Sequence, residues 1–196
     1  SNSGKAAAIT RVRISRMGFP AAAVSAVMTS GEALKIDMRA GRLAHIKALY
    51  VISATPEDAA RAVEDMGVAQ VTALPDADAV VLLGLPDGSD HAAERAVLRA
   101  ALGLGKRLIC SNPDRHSPRA GGVLVEAPGA LAHEYADAGG EVLFYGKPHR
   151  PIIEALGKQL GAERVLMVGD SPEHDIAGAK TAAWDSLFIQ GGLHAH

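Results

Sequence analysis

Val165-Leu-Met-Val168-Gly169-Asp170-Ser171-Pro172-Glu173-His174-Asp175-Ile176-Ala177-Gly178-Ala179 is the stretch on which the fold turns. Its first four residues are apolar without alternation, the pattern of a strand buried on both faces, and Gly169 ends the run. Helical spacing resumes at Glu173 and runs to Ala183, so the segment reads strand, tight turn, helix. Open α/β sheets place ligands beyond the carboxyl ends of their strands, which is where Asp170 stands. Asp175 follows five residues later, near the first turn of the helix, so the two carboxylates can converge on one point above the strand. Two such oxygens, with water and a phosphate completing the shell, form a usual Mg2+ arrangement. The alternative is that Asp170 and Glu173 only cap and acidify a helix N-terminus.

One strand-helix unit earlier, Val142-Leu-Phe-Tyr145-Gly146-Lys147-Pro148 repeats the theme with a cation. A lysine fixed at a strand end can neutralise a phosphate oxygen; a solvated loop is the plainer reading. Around these two segments the chain alternates throughout. A helix over Lys5–Arg16 stops at Gly18-Phe19-Pro20, and Gly31–Ala40 is again helical. Ala48–Ser53 is a β-branched and aromatic run, and Thr55-Pro56-Glu57 supplies an N-cap, a first-turn proline and an early acid for a helix to Met66. Strands follow at Ala79–Leu85 and Lys106–Cys110 around a helix at Asp90–Leu104. After the Pro-, Gly- and Arg-rich stretch Ser111–Pro128, a second series runs helix Gly129–Ala138, strand Glu141–Tyr145, helix Arg150–Leu160, strand Arg164–Val168, helix Glu173–Ala183 and strand Ser186–Ile189. Apolar strands separated by amphipathic helices predict an α/β fold with a parallel sheet covered on both sides.

Composition narrows the function classes. Of 196 residues 48% are apolar and 4% aromatic, and 20 Lys and Arg against 22 Asp and Glu leave a net charge of −2, which gives no footprint for nucleic acid. The apolar runs are far shorter than the roughly 20 residues a membrane span requires. A single cysteine, Cys110, excludes an internal disulfide, fits a reducing cytoplasm and, at the end of an apolar strand, reads as inert core rather than a nucleophile. His194 and His196 alternate rather than sit at helical ligand spacing, so a metal site built from them and His174 has little support. His45, His91 and His133 have no partner at ligand spacing, and His149 reads as a solvent-facing first-turn residue beside the lysine loop.

Together, Lys147 after its strand and Gly169-Asp170-Ser-Pro-Glu-His-Asp175 resemble the third and fourth motifs of the haloacid-dehalogenase-like (HAD) hydrolases. Gly146-Lys147-Pro148, Asp175-Ile-Ala-Gly-Ala and Ser111-Asn112-Pro113-Asp114 look like the class IIA branch, the sugar-phosphate and nitrophenylphosphate phosphatase type. Ser1-Asn2-Ser3-Gly4-Lys5 matches its second motif, with Ser1 as the phosphate-binding hydroxyl. The resemblance implies a partial Rossmannoid core, residues 1–41 and 141–196, with an inserted α/β C2-type cap over 42–140. It implies catalytic roles for Lys147 and Ser1, and Mg2+ held by Asp170 and Asp175. Substrate or phosphate contacts fall on Asn2, Ser3, Asn112, Asp114, Arg115 and His116, with Arg119 in the same overhanging loop.

The implied reaction is hydrolysis of a small-molecule phosphate ester through an aspartyl-phosphate. The Asp-x-Asp-Gly-type nucleophile motif at a strand end is not in this sequence, so the resemblance is to a member cut at both ends and inactive as given. The alternative is a non-catalytic phospho-ligand-binding or regulatory module. No nucleic-acid or membrane partner is expected, and the exposed cap edge is a candidate homodimer surface. Two smaller departures are Ser3, where a second Asn is frequent, and Ala183, where a glycine usually ends the helix; a left-handed Ala there costs about 1 kcal/mol against Gly.

Overall fold

Ala79–Leu82 (β3) is buried along its whole length, each residue 1% exposed or less. Such a strand needs cover on both faces and a neighbour on both edges, and the chain supplies all four. In the computed structural model, which describes residues 1–191, β3 lies in a five-stranded parallel sheet. It is flanked by Ala48–Ile52 (β1) and Arg107–Cys110 (β4), with Ala69–Val71 (β2) beyond β1 and Val142–Phe144 (β7) beyond β4. All four pairings are parallel, with Val80 opposite Tyr50 and Leu108, and Leu143 opposite Ile109. The short hairpin His116–Pro118 (β5) and Leu124–Glu126 (β6) forms a separate antiparallel pair.

Two apolar layers cover the sheet. On one face Leu34 and Met38 of Ser30–Arg39 (α2), Met66 of Pro56–Met66 (α3), and Ile152 and Ile153 of Arg150–Leu160 (α6) pack on Leu49, Val81 and Ile109. On the other, Leu98 and Ala101 of Ala92–Gly103 (α4) and Leu131, Ala132 and Tyr135 of Pro128–Asp137 (α5) pack on Val80, Leu82 and Leu108. The expected N-cap of α3 is present: the Thr55 hydroxyl accepts from Asp58 N–H at 3.1 Å, with Pro56 in the first turn. Ala7–Arg16 (α1) has no buried residue.

The sheet differs from expectation in two respects. It runs across the division expected at residue 141, because β7 pairs with β4 and completes the sheet begun by β1–β4. The strand expected to be buried before Gly169 is Leu166–Gly169 (β8), and among the described residues it pairs only with Asp185–Phe188 (β9), in a separate two-stranded parallel sheet. Met167 and Trp184 pack toward the core, whereas Leu166 and Val168 are more than half exposed, since this narrow sheet is covered on one side only. The helix expected over 173–183 is a single π-helical turn, Pro172–Ile176, followed by Ala177–Thr181 (α7). Ala183 beyond it has φ +56°, the left-handed cap that glycine would fill.

Candidate active site

The Gly169-Asp170 turn and the π-turn after it bring Asp175 back over the end of β8. The approach is so close that a Cβ on residue 169 would lie 2.2 Å from the Asp175 carboxyl carbon, so glycine is the residue that fits. Asp175 is 6% exposed; its carboxylate accepts from Ser171 N–H at 3.3 Å and pairs with the Lys147 ammonium. A lysine from the end of one strand and an acid from the turn after another are thereby fixed in contact.

Asn2 sets the position of the lysine loop. Its side-chain carbonyl accepts from Lys147 N–H at 2.6 Å, and its amide group donates to the Lys147 carbonyl at 3.2 Å and to Asp114 Oδ1 at 2.7 Å. The same Asp114 oxygen meets His174 Nε2 at 3.1 Å, and His174 Nδ1 lies 2.8 Å from the Ser171 hydroxyl. Asp114 therefore joins three segments distant in sequence: the N-terminal Ser-Asn-Ser, the loop after β4 and the turn after β8. The loop is anchored in turn by its own Asn112, whose Oδ1 accepts from Asp114 N–H at 3.0 Å.

These groups border an open cleft of about 600 Å³, into which Ser1, Asn2, Asp114, Arg115, His116, Lys147, Asp170 and Asp175 all project. Ser3 and Asn112, the other two expected contacts, lie outside it. The Ser3 carbonyl accepts from Gly31 N–H and its hydroxyl from Lys5 N–H, which uses it to join the N-terminal segment to α2. Asn112 borders a second cavity behind the hairpin, as does Arg119, which pairs with Asp87 at 2.8 Å. Ser111–Pro128, read from sequence as an irregular loop, holds the β5–β6 hairpin as the outer wall of the cleft.

Sequence reading missed His133, Ser171, His174 and Leu124 as cleft residues. The Gly-Asp motif contained His174 and Ser171, yet no one-dimensional spacing tells that His174 meets Asp114. His133 and His149 flank Phe144, with ring centroids 4.9 and 4.7 Å away, and burial lowers the pKa of both imidazoles. His149 is thus stacked on an aromatic ring rather than solvent-facing. Cys110 is fully buried, and burial pushes its thiol up to about 12, consistent with an inert core residue. His194 and His196 lie outside the described residues.

Among the described residues no group of three or more His, Cys, Asp or Glu side chains is arranged to hold a metal ion. Asp170 and Asp175 do supply hard oxygen donors on one cleft wall, and Mg2+ usually takes one or two protein carboxylates and keeps several waters. The donor set therefore fits Mg2+ with a largely solvent and ligand shell. No helix of the described residues is long and apolar enough to cross a membrane.

Comparison with known proteins now decides the family. A solved hydrolase of the haloacid dehalogenase-like family from Brucella suis 1330 superposes with a TM-score of 0.82 at 30% identity, over 99% of this chain and 75% of that one. This chain belongs to the haloacid-dehalogenase-like hydrolases. Consistent with that membership, residues 144–196, which hold Lys147 and the Gly-Asp motif, match the HAD-hydrolase-like family model. A glycerol phosphate phosphatase from Mycobacterium tuberculosis, solved in complex with magnesium, is similar at 25% identity and a TM-score of 0.77, over 98% of this chain and 58% of that protein. A dihydroxyacetone phosphatase from Corynebacterium glutamicum (strain R) is 29% identical over 91 residues. That match spans 45% of this HAD-like chain and one third, 33%, of the relative.

Proposed function

We propose that the chain provides the phosphate- and metal-binding part of a Mg2+-dependent phosphate-monoester hydrolase of the class IIA type. The observation that carries this reading is the Lys147–Asp175 contact beside Asp170 in one cleft, with Asn2 bracing the lysine loop. Lys147 is positioned to share its charge between Asp175 and a phosphate oxygen, and the Ser1 hydroxyl and nearby backbone N–H groups complete the cradle. Mg2+ bound by Asp170 and Asp175 would neutralise charge on the transferring phosphoryl group. Arg115 and His116 stand on the hairpin side, where the alcohol portion of the ester would lie. The inserted cap is proposed to extend through β7, with a cytoplasmic setting and pairing of copies through the cap.

In the reaction of this class an Asp carboxylate attacks phosphorus, the alcohol leaves, and water hydrolyses the aspartyl-phosphate. No Asp-x-Asp-Gly-type sequence stands at a strand end within residues 1–196, so this polypeptide is proposed to bind phosphate without turning it over. Two measurements test the reading. Calorimetry with inorganic phosphate and Mg2+ should show binding that weakens about tenfold or more in Lys147→Ala, a loss of about 1.4 kcal/mol. Hydrolysis of p-nitrophenyl phosphate should stay at background; turnover that survives purification and is lost in Asp170→Ala would overturn the inactivity. The same absent motif favours, as the second reading, a purely phospho-ligand-binding module. An encoding frame with a strand ending in Asp-x-Asp supports the hydrolase, and one without it supports the module.

A further inference from the structure

The β5–β6 hairpin has two sides, and each lines a different space. His116, Pro118 and Leu124 border the candidate active-site cleft, while Ser117, Arg119 and Val125 border a second cavity of about 290 Å³. This is the period-two alternation of a strand pair, with Ser117 opposite Val125 and Pro118 opposite Leu124. The far wall of the second cavity is the loop after β3, which ends in His91. That histidine is 5% exposed and holds a left-handed backbone, φ +57°, rare for a residue with a Cβ. His91 Nδ1 is buried without a hydrogen-bond partner, and Glu94 Oε2, also unpartnered, lies 4.0 Å away.

We propose that this cavity is a second ligand site, taking a small uncharged polyol or sugar. Its volume is far above the roughly 30 Å³ share of one water, which leaves room for a molecule of several carbons. The charges on its wall are already matched, Arg119 with Asp87 at 2.8 Å and Glu126 with Arg95 at 2.6 Å. An ionic ligand would have to break one of these pairs. The amide nitrogen of Asn112, which donates to no group among the described residues, is left to bind a hydroxyl, with the His91 ring on the same wall. Because the hairpin is the shared wall, filling this cavity moves the residues that border the cleft. The site does not depend on the phosphatase reading.

The test is a titration of the isotopically labelled 196-residue chain with xylitol and, separately, with glycerate, followed by NMR of the histidine rings, side-chain amides and methyl groups. Xylitol should give saturable shifts at His91 and Asn112, with smaller shifts at His116 and Leu124 across the hairpin. These should vanish in His91→Phe and in Asn112→Asp, the latter keeping the oxygen that caps Asp114 N–H. Shifts that never saturate, or that survive both substitutions, overturn the site. Tighter binding of glycerate than of xylitol overturns the assignment to an uncharged ligand. Saturation at His91 with His116 and Leu124 unmoved overturns the link to the cleft.

Discussion

Asn2 uses both amide hydrogens and its carbonyl to tie Lys147 to Asp114, so its deletion should be felt in stability as well as in ligand binding. Net hydrogen bonds are worth about 0.5–1.5 kcal/mol each, and partly buried partners lose more when left unpaired. Asn2→Ala should cost roughly 1–3 kcal/mol in urea unfolding, and Asn2→Asp more, because a carboxylate oxygen would then face Asp114 Oδ1 and the Lys147 carbonyl. Equal stability of Asn2→Asp and the parent chain would contradict the bracing role. Position at a strand end singled out Lys147, Asp170 and Asp175 in the sequence, whereas Asn2 was reached only through the resemblance to the family's second motif. His174 and Asp114 meet across a separation of 60 positions, and no local pattern encodes it.

Elements with strong local signals were legible. The Thr55-Pro56 start of α3, the apolar run of β3 and the span of α6 over Arg150–Leu160 lie where propensity and capping place them. The three-residue strands β2, β5 and β6 were not read, since three residues carry too little periodicity to stand above the surrounding loop. The helix expected after Gly169 loses its first turn to a π-turn, because Asp175 must reach back to Lys147 and Ser171. Ala183, in the left-handed region at the end of α7, leads to a direct prediction. Ala183→Gly should stabilise the chain by about 1 kcal/mol in urea or thermal unfolding, since the native backbone already suits glycine. The exposed apolar residues of β8 and β9, among them Val168 and Leu187, should bind ANS in the native state. Leu187→Lys should lower that signal without removing the cooperative transition.

At the scale of the whole molecule, the half-buried imidazoles of His133 and His149 make stability depend on pH. His149 has its pKa lowered chiefly by burial, then by the neighbouring His133 and His174. His133 is lowered by burial and by Arg115. A group with a depressed folded-state pKa binds fewer protons than its unfolded counterpart. Stability is therefore present above the unfolded value of about 6.5 and is lost as pH falls below it. The urea midpoint should drop between about pH 7.5 and about pH 5.5. His149→Phe, which keeps an aromatic ring beside Phe144, should flatten that slope; an unchanged slope would remove His149 as its source. The fold class was legible at this scale because alternation of apolar strands and amphipathic helices is a global pattern. The separation of β8–β9 from the main sheet was not, since strand pairing is decided by tertiary contact rather than by composition. The main sheet also carries a consequence in time. Its five strands are all encoded between residues 48 and 144, and Asp170 and Asp175 follow. At roughly 5–20 residues per second of synthesis, the ribosome releases the whole platform a second or more before either carboxylate emerges. The acidic turn is then laid onto a surface already built to receive it.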